Sequence, residues 1–398
     1  MAEPRLNTPP LSLLLLLGAL TAFAPMSIDM YLPGLPAIAT SFNATPNAAQ
    51  FTLTSFFIGL AIGQAIHGPL ADRYGRKPPL YAGLALYVIA SLGCAFAPDL
   101  ATLTALRFVQ ALGGCAGIVI TRAIVRDRFD VHTSARVYSL LMLVMGLAPI
   151  LAPLAGGWIL LLSGWRMIFV VLALFGLACL LSSWRYLPET RPVTHTASVG
   201  IGPVLRTYGQ LLCDRRFLGY TLSGGFAQAG MFAYITGSPH VFIDLYGLSP
   251  QAYGWLFGLN ALGLIASSQY NRRLLRQHSA DTLLRRANRA TVLFGLTLLG
   301  MTLAGGGLYG LLLPLFGYLV TLGFTAPNAM AHALAEQGAR AGSASALIGS
   351  LQFTLATLSS ALVGLAGHGS TLPMTSIIAG CSLLAYAAHR LLVTQEKI

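Results

Sequence analysis

One carboxylate stands apart in this sequence. Asp29 is the only Asp, Glu, Lys or Arg between Arg5 and Asp72, and it sits at the end of a long apolar run, between Pro25 and Pro33. A carboxylate placed in hydrocarbon costs a few kcal/mol at least and faces a partner or a cavity. Desolvation favours the protonated form of such an acid, which brings proton uptake and release toward physiological pH. The chemistry on offer is reversible protonation of a single acid. A capping or hydrogen-bonding role near Tyr31 and Pro33 is the competing reading. The second conspicuous residue is Arg107, a guanidinium inside another apolar run, which keeps its proton at any physiological pH. Arg107, Gln110, Gly114 and Gly117 recur at three- and four-residue spacing and so share one helical face. That face is expected to line the segment carrying Asp29, placing Arg107 to sense or relay the charge of a carboxylate; a structural ion pair is the alternative.

These residues need long apolar elements to hold them, and the composition supplies them. Of the 398 residues, 55% are hydrophobic and 9% charged, against about 25% charged in soluble domains, and mean hydropathy is +0.70. Uncharged stretches run from Leu6 to Ile28, Phe217 to Ile243, Leu245 to Asn271, Ala290 to Ala335 and Ala341 to His389. Roughly 20 apolar residues cross a bilayer as a helix, so each of the last two accommodates two crossings. Windowing predicts twelve spans: 11–33, 50–70, 79–97, 100–123, 135–162, 165–187, 217–243, 250–270, 284–304, 307–331, 342–366 and 371–393. With these spans, every Lys and Arg except Arg107, Arg122 and Arg166 falls in a connection on the N-terminal side of the membrane or within the span ends that adjoin one. Positive loops stay in the cytoplasm, so both termini are expected there. The fold class is therefore all-α integral membrane, twelve transmembrane helices in two six-helix halves. The halves are residues 1–187 and 217–398, joined by a polar cytoplasmic linker at 188–216.

Several function classes drop out. The net charge of +12 is spread over short loops rather than one face, which argues against a nucleic-acid partner. The five cysteines lie far apart, and four are in apolar runs, so neither a disulfide framework nor a zinc site is expected. Arg5 followed by Leu11–Leu17 resembles a signal peptide, but the apolar run continues to Asp29 and reads as a retained first helix. The sequence has no GxxxxGK[ST] phosphate loop, and no His, Asp or Glu cluster at catalytic spacing lies in the spans. No cofactor, no metal and no enzymatic activity are expected.

The strongest local motif is Gly68-Pro-Leu-Ala-Asp72-Arg73-Tyr-Gly75-Arg76-Lys77-Pro78, between spans two and three. Its glycines allow a tight turn and close helix approach, Asp72 suits a helix N-terminus or an arginine, and the basic residues are expected to hold the loop at the cytoplasmic surface. A faint internal repeat relates Phe57–Lys77 to Phe257–Gln277. The loop resembles the GxxxDRxGRK signature of the major facilitator superfamily. Ser27-Ile28-Asp29-Met30-Tyr31-Leu32-Pro33 resembles the first-helix signature of its bicyclomycin/chloramphenicol-resistance exporters. Arg107-Phe-Val-Gln110-Ala-Leu-Gly113-Gly114 is similar to the fourth-helix arginine motif of drug–proton antiporters. Ala148-Pro149-Ile-Leu-Ala152-Pro153-Leu-Ala-Gly156-Gly157 is similar to their fifth-helix motif, with Ala152 where Gly is common.

The resemblance implies proton-coupled efflux of drug-like molecules (bicyclomycin, chloramphenicol or sulfonamide type) by alternating access across the bacterial inner membrane, by a monomer. It implies Asp29 and Arg107 as the proton-coupling pair and Gly68, Asp72, Arg73, Gly75, Arg76, Pro153, Gly156 and Gly157 as conformational residues. Export of a small metabolite by the same fold is the alternative. Drug sites are largely apolar and aromatic with a few polar groups, and methionine suits promiscuous packing. Substrate contacts are accordingly expected from Met26, Tyr31, Gln110, Tyr138, Met142, Phe226, Met231, Phe232, Tyr234, Asn260 and Gln352, with helix packing as the alternative role for each. His67 and His240 read as structural, and Glu336 as a helix-end partner of His332.

Overall fold

A computed structural model describes residues 10–129, 131–187, 189, 201–337, 341–366 and 369–393; within these, side chains are described except at 69, 72, 73, 126, 131, 132, 134–136, 138–140, 142, 143, 201–205 and 341–343. Every regular element among them is helical. The chain divides into two compact units, Met1–Ser198 with Pro250–Trp255, and Val199–Ser249 with Leu256–Ile398.

The first unit holds α1 (Leu11–Thr21), α2 (Phe23–Asp29), a 3₁₀ turn (Leu32–Gly34) and α3 (Leu35–Ser41), followed by α4 (Pro46–Tyr74), α5 (Lys77–Ala95), α6 (Leu100–Arg128), α7 (Val131–Ser163) and α8 (Trp165–Tyr186). Side-chain caps set the starts of two of these. Thr45 accepts from the Ala48 N–H before α4, and Asp99 accepts from the Thr102 N–H and hydroxyl before α6. Those two hydrogen bonds hold the Asp99 carboxyl below its usual range. Helix α6 is the spine of the unit and packs on both α4 and α5. His67 ties α4 to it through Nε2 and the Leu112 carbonyl at 2.9 Å.

The second unit holds α9 (Ile201–Cys213), α10 (Arg215–Pro239), a π-helical turn (His240–Leu245), most of α11 (Pro250–Leu274), α12 (Ala280–Leu303), α13 (Gly307–Ala335), α14 (Ala341–Leu365) and α15 (Leu372–Leu392). Here α10 is the spine, packed against α13, α14 and α15. The linker expected at 188–216 thus contains a helix, α9, whose Leu211 is buried in an apolar cluster with Phe217, Tyr220 and Leu284.

Two features depart from the windowed reading. The first span is not one helix ending near residue 33; Leu11–Thr21 and Phe23–Ser41 meet at 43°. Moreover, eight described helices, or nine counting that bent pair, are long and apolar enough to cross a membrane. Helices α10, α11 and α12 have the length, at 25, 25 and 24 residues, but less apolar sequences. Their polar groups are turned inward and paired. Asn288 of α12 donates to Ser223 of α10, and Asn260 of α11 donates to Tyr234 of α10. Asn271 of α11 and Asn328 of α13 exchange amide hydrogen bonds at 3.3 and 2.9 Å, with both residues buried.

Such amide pairs act as glue between helices in lipid, where each is worth roughly 0.6 kcal/mol. A double-mutant cycle with Asn271→Ala and Asn328→Ala, read by unfolding of the purified protein in detergent, is expected to give a coupling energy of that order. Strictly additive losses would contradict the pairing.

Candidate functional site

The site begins with a break that the sequence imposes. Pro33 has no N–H, and its ring collides with the carbonyl four residues earlier, that of Asp29. The α-helix accordingly ends at Asp29, Met30 N–H still reaches Met26 O at 3.2 Å, and the chain tightens into a 3₁₀ turn closed by Gly34 N–H on Tyr31 O at 3.0 Å. A helix broken inside a membrane is tolerated where neighbouring groups re-satisfy its backbone.

Arg107 supplies that partner. Its Nη2 donates to the Ser27 carbonyl at 3.0 Å and its Nη1 to Gln110 Oε1 at 2.6 Å. The guanidinium is fully buried among three rings, 4.2 Å from the centroid of Phe56, 4.4 Å from Tyr31 and 5.7 Å from Phe169. A desolvated cation–π contact contributes about 2 kcal/mol. No carboxylate pairs with Arg107 among the described residues, so the ion-pair alternative gives way to a carbonyl and an aromatic cage. Asp29 is 4% exposed and has no hydrogen-bond or ion-pair partner among the described residues. The two residues form no salt bridge; Arg107 instead binds the carbonyl two positions before Asp29.

Around them runs a buried polar chain. Gln110 Nε2 donates to Ser91 Oγ at 2.8 Å, and Ser91 Oγ donates to the Tyr87 carbonyl at 2.6 Å. Tyr87 OH lies 2.7 Å from Ser27 Oγ. Thr52 Oγ1 spends its proton on Ala49 O, so Tyr31 OH donates to Thr52 at 2.7 Å. This corrects two expected substrate contacts. Gln110 and Tyr31 are fully buried and their polar groups are committed to the protein, so they support Arg107 and the break instead of facing a cavity.

Helix α7 closes against the same break. A Cβ built on Gly156 would lie 2.0 Å from the Met30 carbonyl, so only glycine allows this approach. Pro153 interrupts the hydrogen-bond ladder one turn earlier, and Gly157 is buried beside Gly156.

The conserved-looking loop between α4 and α5 is built differently from expectation. Gly75 ends α4 at φ 84°, a backbone region that favours glycine. Arg76 does not hold the loop at the surface: it is 1% exposed and its Nε donates to Asp127 Oδ2 of α6 at 2.8 Å. Glu189, just beyond α8, accepts from the N–H groups of Arg76 and Lys77 at 2.8 and 3.0 Å, neutralising the start of α5. Gly68 has nothing within 4 Å of a built Cβ, so no close packing requires it. The side chains of Asp72 and Arg73 lie outside the described residues.

The remaining expected substrate residues are spread over both units. In the first, Met26 is partly buried, while the side chains of Tyr138 and Met142 lie outside the described residues. In the second, Asn260 Nδ2 donates to Tyr234 OH at 3.0 Å, and Tyr234 stacks on Phe257 at 5.5 Å. Phe232 lies 6.0 Å from Phe353; Phe226, Met231 and Gln352 are partly buried. Glu336 pairs with Arg216 rather than His332, which stacks on Tyr220. Sequence reasoning quoted Ser27 in a motif without giving it a role, and missed Tyr87, Ser91, Asp127 and Glu189. Only the acids left a trace, in Arg126-Asp127-Arg128 and in Leu187-Pro188-Glu189 directly after span six.

The two glycine environments give a paired expectation. Gly156→Ala forces backbone apart and should lower stability by about 1–3 kcal/mol. Gly68→Ala, inside a helix with open space, should be neutral or stabilising by up to ~1 kcal/mol. Thermal unfolding of both variants in one detergent checks the contrast, and equal Tm values would refute it.

Comparison with known proteins follows the same lines. The Major Facilitator Superfamily profile matches residues 17–364. A Bacillus subtilis protein described as an uncharacterized MFS-type transporter, YdgK, is 41% identical over 92% of both chains. The bicyclomycin resistance protein homolog of Haemophilus influenzae is 31% identical over 96% of both. The crystal structure of a D-xylose–proton symporter superposes with a TM-score of 0.75 at 15% identity, covering 96% of this chain and 98% of that one, a likeness of fold alone. By the matched profile and these relatives, the chain belongs to the major facilitator superfamily as a transporter related to the bicyclomycin-resistance proteins.

Proposed function

We propose that this transporter exports drug-like small molecules in exchange for protons, with Asp29 as the proton carrier. The observation that carries the reading is a buried carboxylate with no partner among the described residues, at the end of a short helix whose Ser27 carbonyl is bound by a permanently charged arginine. A structural acid at that depth would be hydrogen-bonded or paired; an acid that exchanges protons must be left able to do so. The relative named for bicyclomycin resistance supports a drug cargo.

In this reading the protein lies in the bacterial inner membrane as a monomer, with both termini in the cytoplasm. Residues 1–187 and 217–398 act as the two moving halves, linked through 188–216. Drug enters from the cytoplasm or inner leaflet, and contacts Met26, Phe226, Met231, Phe232 and Gln352, with Tyr138 and Met142 completing the set; Tyr234 and Asn260, buried and bonded to each other, support it. A proton arriving from outside neutralises Asp29 and favours release of the drug; its discharge to the cytoplasm resets the carrier. One charge moved is worth about 2.3 kcal/mol per 100 mV, enough to concentrate a neutral drug roughly 50-fold per 100 mV. Gly75, Arg76 and the α7 motif at Pro153, Gly156 and Gly157 shape the conformational change.

Purified protein in proteoliposomes, given an imposed pH gradient and a fluorescent or radiolabelled drug panel, tests the reading. Wild type should accumulate drug against its gradient and lose this with a protonophore, while Asp29→Asn should reduce coupled transport at least 100-fold, the loss expected on removing an essential proton-transfer group. Full drug gradients with Asp29→Asn would remove Asp29 from the mechanism.

A further inference from the structure

We infer that Tyr87, on α5, is a positioning residue for the proton site, fixing through Ser27 the helical turn that ends at Asp29. The inference rests on the reading of Asp29 given above.

Ser27 is held at two points from two helices. Its carbonyl accepts from Arg107 Nη2 of α6 at 3.0 Å, and its hydroxyl lies 2.7 Å from Tyr87 OH of α5. Two fixed points on one residue define both the depth and the rotation of a short helix, and α2 is only seven residues long, ending two positions after Ser27. Rotation about its axis is what decides where the Asp29 carboxyl points. Arg107 grips only the backbone of Ser27, whereas Tyr87 grips its side chain.

Tyr87 is built for the task. It is fully buried, with its ring edge-to-face against Phe23 of α2 at 4.6 Å and 82°. The slot that receives the ring exists because two neighbours have no side chain. A Cβ on Gly114 of α6 would be 3.0 Å from Tyr87 Cδ2, and one on Gly176 of α8 would be 2.8 Å from Cδ1. The two clamps are also joined to each other. Gln110 links Arg107 to Ser91, and Ser91 bonds the Tyr87 carbonyl, so both grips on Ser27 belong to one hydrogen-bonded frame. A buried phenol needs a hydrogen-bond partner, and here that partner lies on the helix that carries Asp29.

Tyr87→Phe keeps the ring in its slot and removes only the hydroxyl; Ser27→Ala removes the same bond from the other side and leaves the carbonyl for Arg107. In proteoliposomes, each variant should lower coupled turnover roughly five-fold, the worth of one net hydrogen bond. Each should also shift the pH midpoint of transport by about half a unit, with KM for the drug unchanged. The double variant should match the single ones, because all three lack one bond. Wild-type turnover and pH profile in Tyr87→Phe would overturn the inference, as would losses that multiply in the double variant. If Tyr87→Phe folds poorly, Ser27→Ala carries the same comparison. Asp29→Asn in the same assay separates the two ideas. If that variant is inactive while Tyr87→Phe matches wild type, the positioning role alone fails; if it remains coupled, the proton-site reading fails first.

Discussion

A full positive charge lies in the apolar centre of the first unit with no carboxylate beside it among the described residues, and much of the unit is arranged around that fact. Arg107 cannot shed its proton, and an unsolvated ion in hydrocarbon is costly. Its stabilisation comes from oxygen acceptors that carry no net charge and from the negative faces of rings. The Ser27 carbonyl and Gln110 Oε1 provide the first, and Phe56, Tyr31 and Phe169 the second. A backbone carbonyl at the edge of a helix break is the acceptor, and the break follows from Pro33. Charge, break and proline are one structural unit.

The same arrangement bears on proton exchange. A tight ion pair between Arg107 and Asp29 would favour the ionised carboxylate at all times, which suits a strut better than a carrier. Binding the arginine to Ser27, two residues before the acid, connects the charge to the segment carrying Asp29 without a direct salt bridge. Any change at Asp29 then reaches α6 through one helical turn. Gly156 matters for the same reason: α7 abuts the Met30 carbonyl on the other side of the acid, so movement of the break is registered by a third helix.

Much of this was legible in the sequence because charge in apolar runs is rare. Asp29 and Arg107 declared themselves by type and place, and the spans by length and by the sorting of basic loops. The 3₁₀ turn after Asp29 was signalled by Pro33, but windowing smoothed over both it and the 43° bend before Phe23, because it registers hydropathy and not hydrogen bonding. The roles of Tyr87, Ser27 and Ser91 were invisible, since serines and tyrosines are ordinary in membrane helices and the contact between Ser27 and Tyr87 spans 60 positions. Gln110 and Tyr31 were read as substrate contacts because polar and aromatic side chains near a cavity look alike in sequence. Only the packing shows their groups already engaged.

The two buried arginines of this unit show how depth selects the partner. Arg76 lies at the end of a helix, where Asp127 is partly exposed and Glu189 reaches in from the chain beyond α8. Arg76 itself is buried, but Asp127 and Glu189 keep contact with water, so acids are held there at a smaller desolvation cost. At the depth of Arg107, separating an ion pair would leave two bare charges in a medium that screens neither. A carbonyl and three rings avoid that hazard: if the arginine shifts, what it leaves behind is neutral. Acids thus meet the peripheral arginine and dipoles the central one, while the carboxylate at residue 29 is left without a partner among the described residues.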